Sequence, residues 1–166
     1  MTYDHLLSIF TPPGEITAQY PVPVTWRQHT YATNNERLIK LPTDAVGQKY
    51  GKTKFNMDKW EKKAFRPSTL RLAVTAAALR SVSSSCYVCF SQVGYLFSTV
   101  HTDALASVCE AFGEAAQILS PLEGSGPMFF QVGPAKVVLM PHAFPADNDS
   151  ISVPLQDNST APSRAG

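Results

Sequence analysis

The stretch that decides the fold is CYVCFSQVGYLFSTV, residues 86–100. Aromatic and β-branched side chains dominate it, and its one break falls at Gln92–Gly94. That is the signature of a β-hairpin. Downstream, Leu105, Val108, Cys109, Phe112, Ala116 and Leu119 recur at helical spacing. Thr102 or Asp103 can cap this helix, and Pro121 ends it. Residues 128–132 (MFFQV) and 135–140 (AKVVLM) read as a further strand pair turned at Gly133–Pro134.

Upstream, Pro67 and Ser68 form a helix start, with Leu70, Ala73, Val74, Ala77 and Ala78 on one face. Residues 24–31 (VTWRQHTY) read as a short strand or the beginning of a loop, and 32–51 as a turn-rich connection. Residues 52–57 suggest a basic strand, whereas 58–65 fit a helical turn or a strand. Helices interleaved with antiparallel hairpins predict an α+β fold, an antiparallel sheet with helices packed on one face. The other face is then an open, concave surface for binding. Three regions follow: a proline-rich N-terminal arm (1–23), an α+β domain (24–142) and a polar, disordered C-terminal tail (143–166).

Charge is strongly lopsided in the 166-residue chain, although the formal net charge is only +1. Lys49, Lys52, Lys54, Lys59, Lys62, Lys63, Arg66 and Arg71 cluster against Asp58 and Glu61. Beyond Arg80, Lys136 and Arg164 face seven acidic residues, from Asp103 to Asp157. A local positive field attracts polyanions, phosphate backbones above all. Trp26 and Trp60 lie in or near the basic half. Aromatic faces beside cations are the materials of a nucleic-acid site; a solvated lysine-rich surface and packed tryptophans are the plainer alternatives.

Other chemistries find little support. His5, His29, His101 and His142 lack ligand spacing, and no Walker loop, dinucleotide fingerprint, GxSxG elbow or HExxH helix occurs. Cys86 and Cys89 lie three apart in a strand and so point to opposite faces, which argues against a shared metal. Cys109 fits packing better than nucleophilic chemistry. The expectation is a non-enzymatic protein without metal or cofactor. No apolar run approaches the roughly 20 residues of a membrane span. Met1–Phe10 is a poor signal peptide. These features point to an intracellular protein with no membrane partner.

Several segments together resemble the tombusvirus suppressors of RNA silencing, which bind short interfering RNA duplexes. Trp26-Arg27-Gln28-His29 followed by Thr33-Asn34 matches a WRxH run followed by TN. Gly51-Lys52 with Phe55 is similar to a GKxxF strand. Cys86-Tyr87, the hairpin to Val100, and then Leu105, Cys109-Glu110, Gln117, Leu119, Pro121 and Glu123 parallel a hairpin and a helix carrying LxxLCE. The likeness covers roughly residues 24–123.

The resemblance implies a homodimer in the host cytoplasm whose joined sheets cradle double-stranded RNA by shape and backbone contacts. Trp26 would be an end-stacking residue, Lys52 a phosphate contact, and Ser98 or Thr99 a hydroxyl toward RNA. Together with the basic cluster and with Trp60, which has no counterpart in that family, these give the candidate RNA-binding set Trp26, Arg27, Lys49, Lys52, Lys54, Lys59, Trp60, Ser98 and Thr99. Departures accompany it. Pro23 replaces a second end-stacking tryptophan, Asn56 and Met57 replace basic strand positions, and Cys86, Val88 and Phe90 make the hairpin face less polar. Lys54, Lys59, Lys62 and Lys63 could supply the displaced charge. A small viral capsid subunit, and a host-protein interaction module using the 128–140 hairpin, are the competing readings.

Overall fold

In the computed structural model, residues 2–11, 22–34, 36–51, 72–81, 87–90, 95–119, 128–139, 150–153 and 156–157 are described. Over 72, 87–90, 95–102, 150–153 and 156–157 the description is of the backbone alone. The fold is α+β and predominantly antiparallel, as expected.

The chain begins with a helix rather than an extended arm. Helix α1 (Asp4–Phe10) buries Leu6, Leu7 and Phe10 on one stripe. Pro12 explains where it stops. The residue before a proline avoids helical backbone, and Thr11 is already extended at φ −93°, ψ 143°. The proline-bearing stretch 12–21 lies outside the described residues.

Strands β1 (Val24–Trp26) and β2 (His29–Thr33) make a hairpin, and β3 (Arg37–Pro42) pairs with β2. β3 replaces part of the turn-rich connection expected over 32–51. Asn34 closes the β2–β3 turn: its Oδ1 accepts from the backbone N–H of Glu36 and Arg37, both at 3.0 Å. A short 3-10 turn follows at Thr43–Ala45.

The helix expected to start at Ser68 is instead a strand and a shorter helix. β4 (Leu72–Val74) leads to α2 (Ala76–Arg80), capped where Thr75 Oγ1 accepts from Ala78 N at 3.1 Å. The hairpin read from residues 86–100 is present as β5 (Tyr87–Phe90) and β6 (Tyr95–Ser98). Helix α3 runs Thr99–Phe112, so Thr102 and Asp103 lie inside it rather than capping it.

Its end also differs from expectation. Gly113 adopts φ +66°, and Glu114 N donates to Cys109 O at 3.2 Å. This six-to-one bond is a Schellman closure, and it terminates the helix two turns before Pro121. Ala116 and Leu119 therefore leave the helix; Ala116–Ile118 is strand β7. A Cβ on Gly113 would meet nothing within 4 Å. Gly113→Ala thus isolates the backbone cost, and we expect a loss of about 1–2 kcal/mol in denaturant unfolding.

β8 (Met128–Val132) and β9 (Ala135–Leu139) form the second expected hairpin, with Gly133 at φ +55° in its turn. The tail expected to be disordered contributes β10 (Ser150–Val153), parallel to β5, and β11 (Gln156–Asp157), antiparallel to β4.

Among the described residues, eight strands form the main sheet in the order β1-β2-β3-β9-β8-β7-β4-β11. A second sheet has the order β10-β5-β6. On one face of the main sheet, Ala32, Ile39, Leu41, Val137, Phe130 and Ile118 join the residues of α1 and α3 in one buried core. β8 alternates buried and half-buried from Met128 to Val132, the pattern of a strand with two different faces. Cys109 lies in this core, and burial pushes its thiol up to about 12, consistent with a packing role. Arg80 ties α2 to α3 through Ser107 Oγ (2.9 Å) and Glu110 Oε1 (2.7 Å).

Candidate nucleic-acid interface

The sheet face turned away from α1 and α3 carries the remaining chemistry. Strand register aligns one row of residues across it: Tyr31, Lys40, Lys136, Gln131, Gln117 and Ala73 stand opposite one another in turn. Lys40 and Lys136 are direct cross-strand neighbours. Directly opposed like charges destabilise a sheet by up to about 1 kcal/mol. Lys40 Nζ lies 5.8 Å from the centre of the Tyr31 ring, a cation–π contact.

A second row, Thr33, Leu38, Val138 and Phe129, is mostly apolar. Tyr31, Leu38 and Val138 form a small buried cluster against which Val24, Trp26 and Phe129 pack. Shelter is graded across this face. Lys40 is only 7% exposed, whereas Lys136, Gln131, Phe129 and Trp26 are half-buried. The result is a platform of cations, amides and aromatic rings.

Trp26 and Arg27 sit at its β1 end. Trp26 pairs with His29, leaving Arg27 and Gln28 as a two-residue turn. The Arg27 guanidinium carbon lies 4.4 Å from the Trp26 ring centre. Arg27 is exposed and has φ 55°. Lys49 is exposed in the loop that follows the 3-10 turn. This loop is held at both sides. Gly51 O accepts from Thr25 N in β1 at 2.8 Å. Across from it, the Asp4 carboxylate accepts from Gly47 N (2.6 Å), Gln48 N (3.2 Å) and the Tyr50 hydroxyl (3.2 Å). The Gly47 bond, aided by the others, holds the Asp4 carboxyl below its ordinary range.

The nine residues singled out from sequence therefore fare differently. Trp26 and Arg27 come together, and Lys49 lies two residues from the Gly51–Thr25 bond. Ser98 ends β6 and Thr99 begins α3; their backbone alone is described. Lys52, Lys54, Lys59 and Trp60 lie outside the described residues, as does the basic strand expected over 52–57. Of the residues that bracket most of the basic run, Gly51 bonds Thr25 of β1 at one edge of the main sheet, and Leu72 lies in β4, next to the other edge.

Sequence reasoning missed Tyr31, Lys40, Lys136, Gln131 and Phe129. Alternation within each strand places Lys40 beside Leu38 and Lys136 beside Val138 on a face. Only the long-range pairing of β3 with β9 makes the two lysines neighbours.

A groove of about 580 Å³ beside α1 is lined by Asp4, His5, Pro23 and Tyr50, among others, none of them in the platform. Among the described residues, no group of three or more His, Cys, Asp or Glu side chains could hold a metal ion. Among them too, no helix is long and apolar enough to cross a membrane. Comparison with protein-family models, with curated proteins and with solved structures returns no match.

Proposed function

We propose that this protein binds double-stranded RNA by shape and backbone contacts, and that it acts as a viral suppressor of RNA silencing by sequestering short interfering duplexes. One observation carries the binding half of this reading: the Tyr31–Lys40–Lys136–Gln131 row on the helix-distal sheet face. The half-buried Lys136 ammonium can meet a phosphate, with the nearly covered Lys40 adding positive potential beneath it, and amides can donate to or accept from ribose hydroxyls. A row of side chains running across a sheet face suits the wide, shallow minor groove of an A-form duplex. The mid-chain basic run adds sequence-independent attraction, and it begins beside β1, where Gly51 bonds Thr25. The silencing role, the homodimer and the host cytoplasm rest on the resemblance in residues 24–123.

A gel-shift comparison tests the proposal. The protein should retain a short RNA duplex at least about tenfold more tightly than the DNA duplex of the same sequence, a difference of about 1.4 kcal/mol. Equal retention of both, or of neither, would count against it. Assembly into large particles instead of a discrete dimer, read by light scattering, would support a capsid subunit.

A further inference from the structure

Arg27 occupies a position that favours glycine. It is the first residue of a two-residue hairpin turn and has φ 55°. Among the described residues no other non-glycine has positive φ. A long L side chain in this region is strained. The guanidinium is nevertheless well placed: it lies 4.4 Å from the ring centre of Trp26. That ring is itself anchored, half-buried against Tyr31, Leu38 and Val138. A fork of N–H donors is thus mounted on a fixed aromatic base at an exposed hairpin tip.

We propose that Arg27 is a phosphate-contacting residue at the β1 end of the platform, and that Trp26 is a positioning residue that acts through it. The proposal rests on the double-stranded RNA reading above, but it revises the end-stacking role that the resemblance implies for Trp26. One side of the Trp26 ring already carries the guanidinium, and the ring packs on the apolar cluster. A planar guanidinium can meet two phosphate oxygens at once, which an ammonium cannot do in that geometry. Holding it on the ring reduces the rotamer freedom lost on binding.

The test measures affinity for a short RNA duplex by fluorescence anisotropy at several salt concentrations, with thermal melting as the folding control. Arg27→Gly relieves the backbone while removing the cation. It should melt within about 2 °C of wild type, bind about tenfold more weakly, and flatten the log–log salt slope by about 0.9. Trp26→Phe should keep near-wild-type affinity, because a ring still seats the guanidinium. Trp26→Leu should lose as much as Arg27→Gly, and combining the two should cost no more than Arg27→Gly alone.

Unchanged affinity in Arg27→Gly overturns the assignment while leaving the platform reading intact. A further loss when Trp26→Leu is added to Arg27→Gly makes the ring itself a contact and overturns the positioning role. Failure of the wild type to retain duplex RNA overturns both readings together.

Discussion

Phe130→Ala is expected to destabilise the protein by about 3–5 kcal/mol. Phe130 is fully buried at the middle of the main sheet, opposite Val137 on one side and Ile118 on the other. Truncation loses the transfer free energy of the ring and leaves a cavity that three strands and a helix layer cannot close. A typical domain has only about 5–15 kcal/mol in reserve, so the melting temperature should fall by roughly 10 °C. The adjacent residue provides the contrast. Phe129 points to the opposite face and is half-buried. Phe129→Ala should cost clearly less in stability and should weaken RNA retention. Equal destabilisation by the two substitutions, in chemical unfolding, would contradict a sheet with one core face and one binding face.

The two hairpins over 86–100 and 128–140 were legible because their information is local. Apolar and β-branched runs flank a turn signal, and the turn sets the register. The core helix was legible through Leu105, Val108, Cys109 and Phe112, but its end was not. Ala116 and Leu119 extend the helical period by coincidence, whereas Gly113 closes the helix through the Glu114–Cys109 bond. The burial of Ala116 and Ile118 about Gln117 is the two-residue period of a strand. Gly113 was a stop signal that the continuing period obscured.

β3 was hidden for a different reason. It is central in the sheet, with Leu38, Ile39, Lys40 and Leu41 all buried, yet Arg37, Lys40 and Pro42 give it the look of a connection. Burial of a lysine requires a tertiary setting that no local pattern announces. The tail strands β10 and β11 form through partners more than fifty residues away in sequence. For the candidate site, the Trp26–Arg27 pair was visible because the residues are adjacent. The Lys40–Lys136 pair was not, because 96 positions separate them and only the β3–β9 register joins them.

Replacing Lys52 and Lys54 together by Ala is expected to have the largest effect on the salt dependence of binding. Each lysine that neutralises a duplex phosphate releases condensed counterion, with a contribution of about 0.9 to the log–log salt slope. Two lost contacts should therefore flatten the slope by about 1.8. Between 50 and 200 mM salt, the double variant should lose about tenfold less affinity than wild type. Lys136→Gln offers a comparison from the sheet itself. Removing this ammonium group should take about another 0.9 from the slope. The two results distinguish two sources of affinity. A slope that responds to Lys52 and Lys54 but not to Lys136 assigns binding to the basic run and removes the platform from it. The reverse assigns phosphate contact to the β3–β9 row. A response to both, with additive slopes, is the outcome expected if the duplex lies across the sheet and engages the lysine-rich chain together with its helix-distal face.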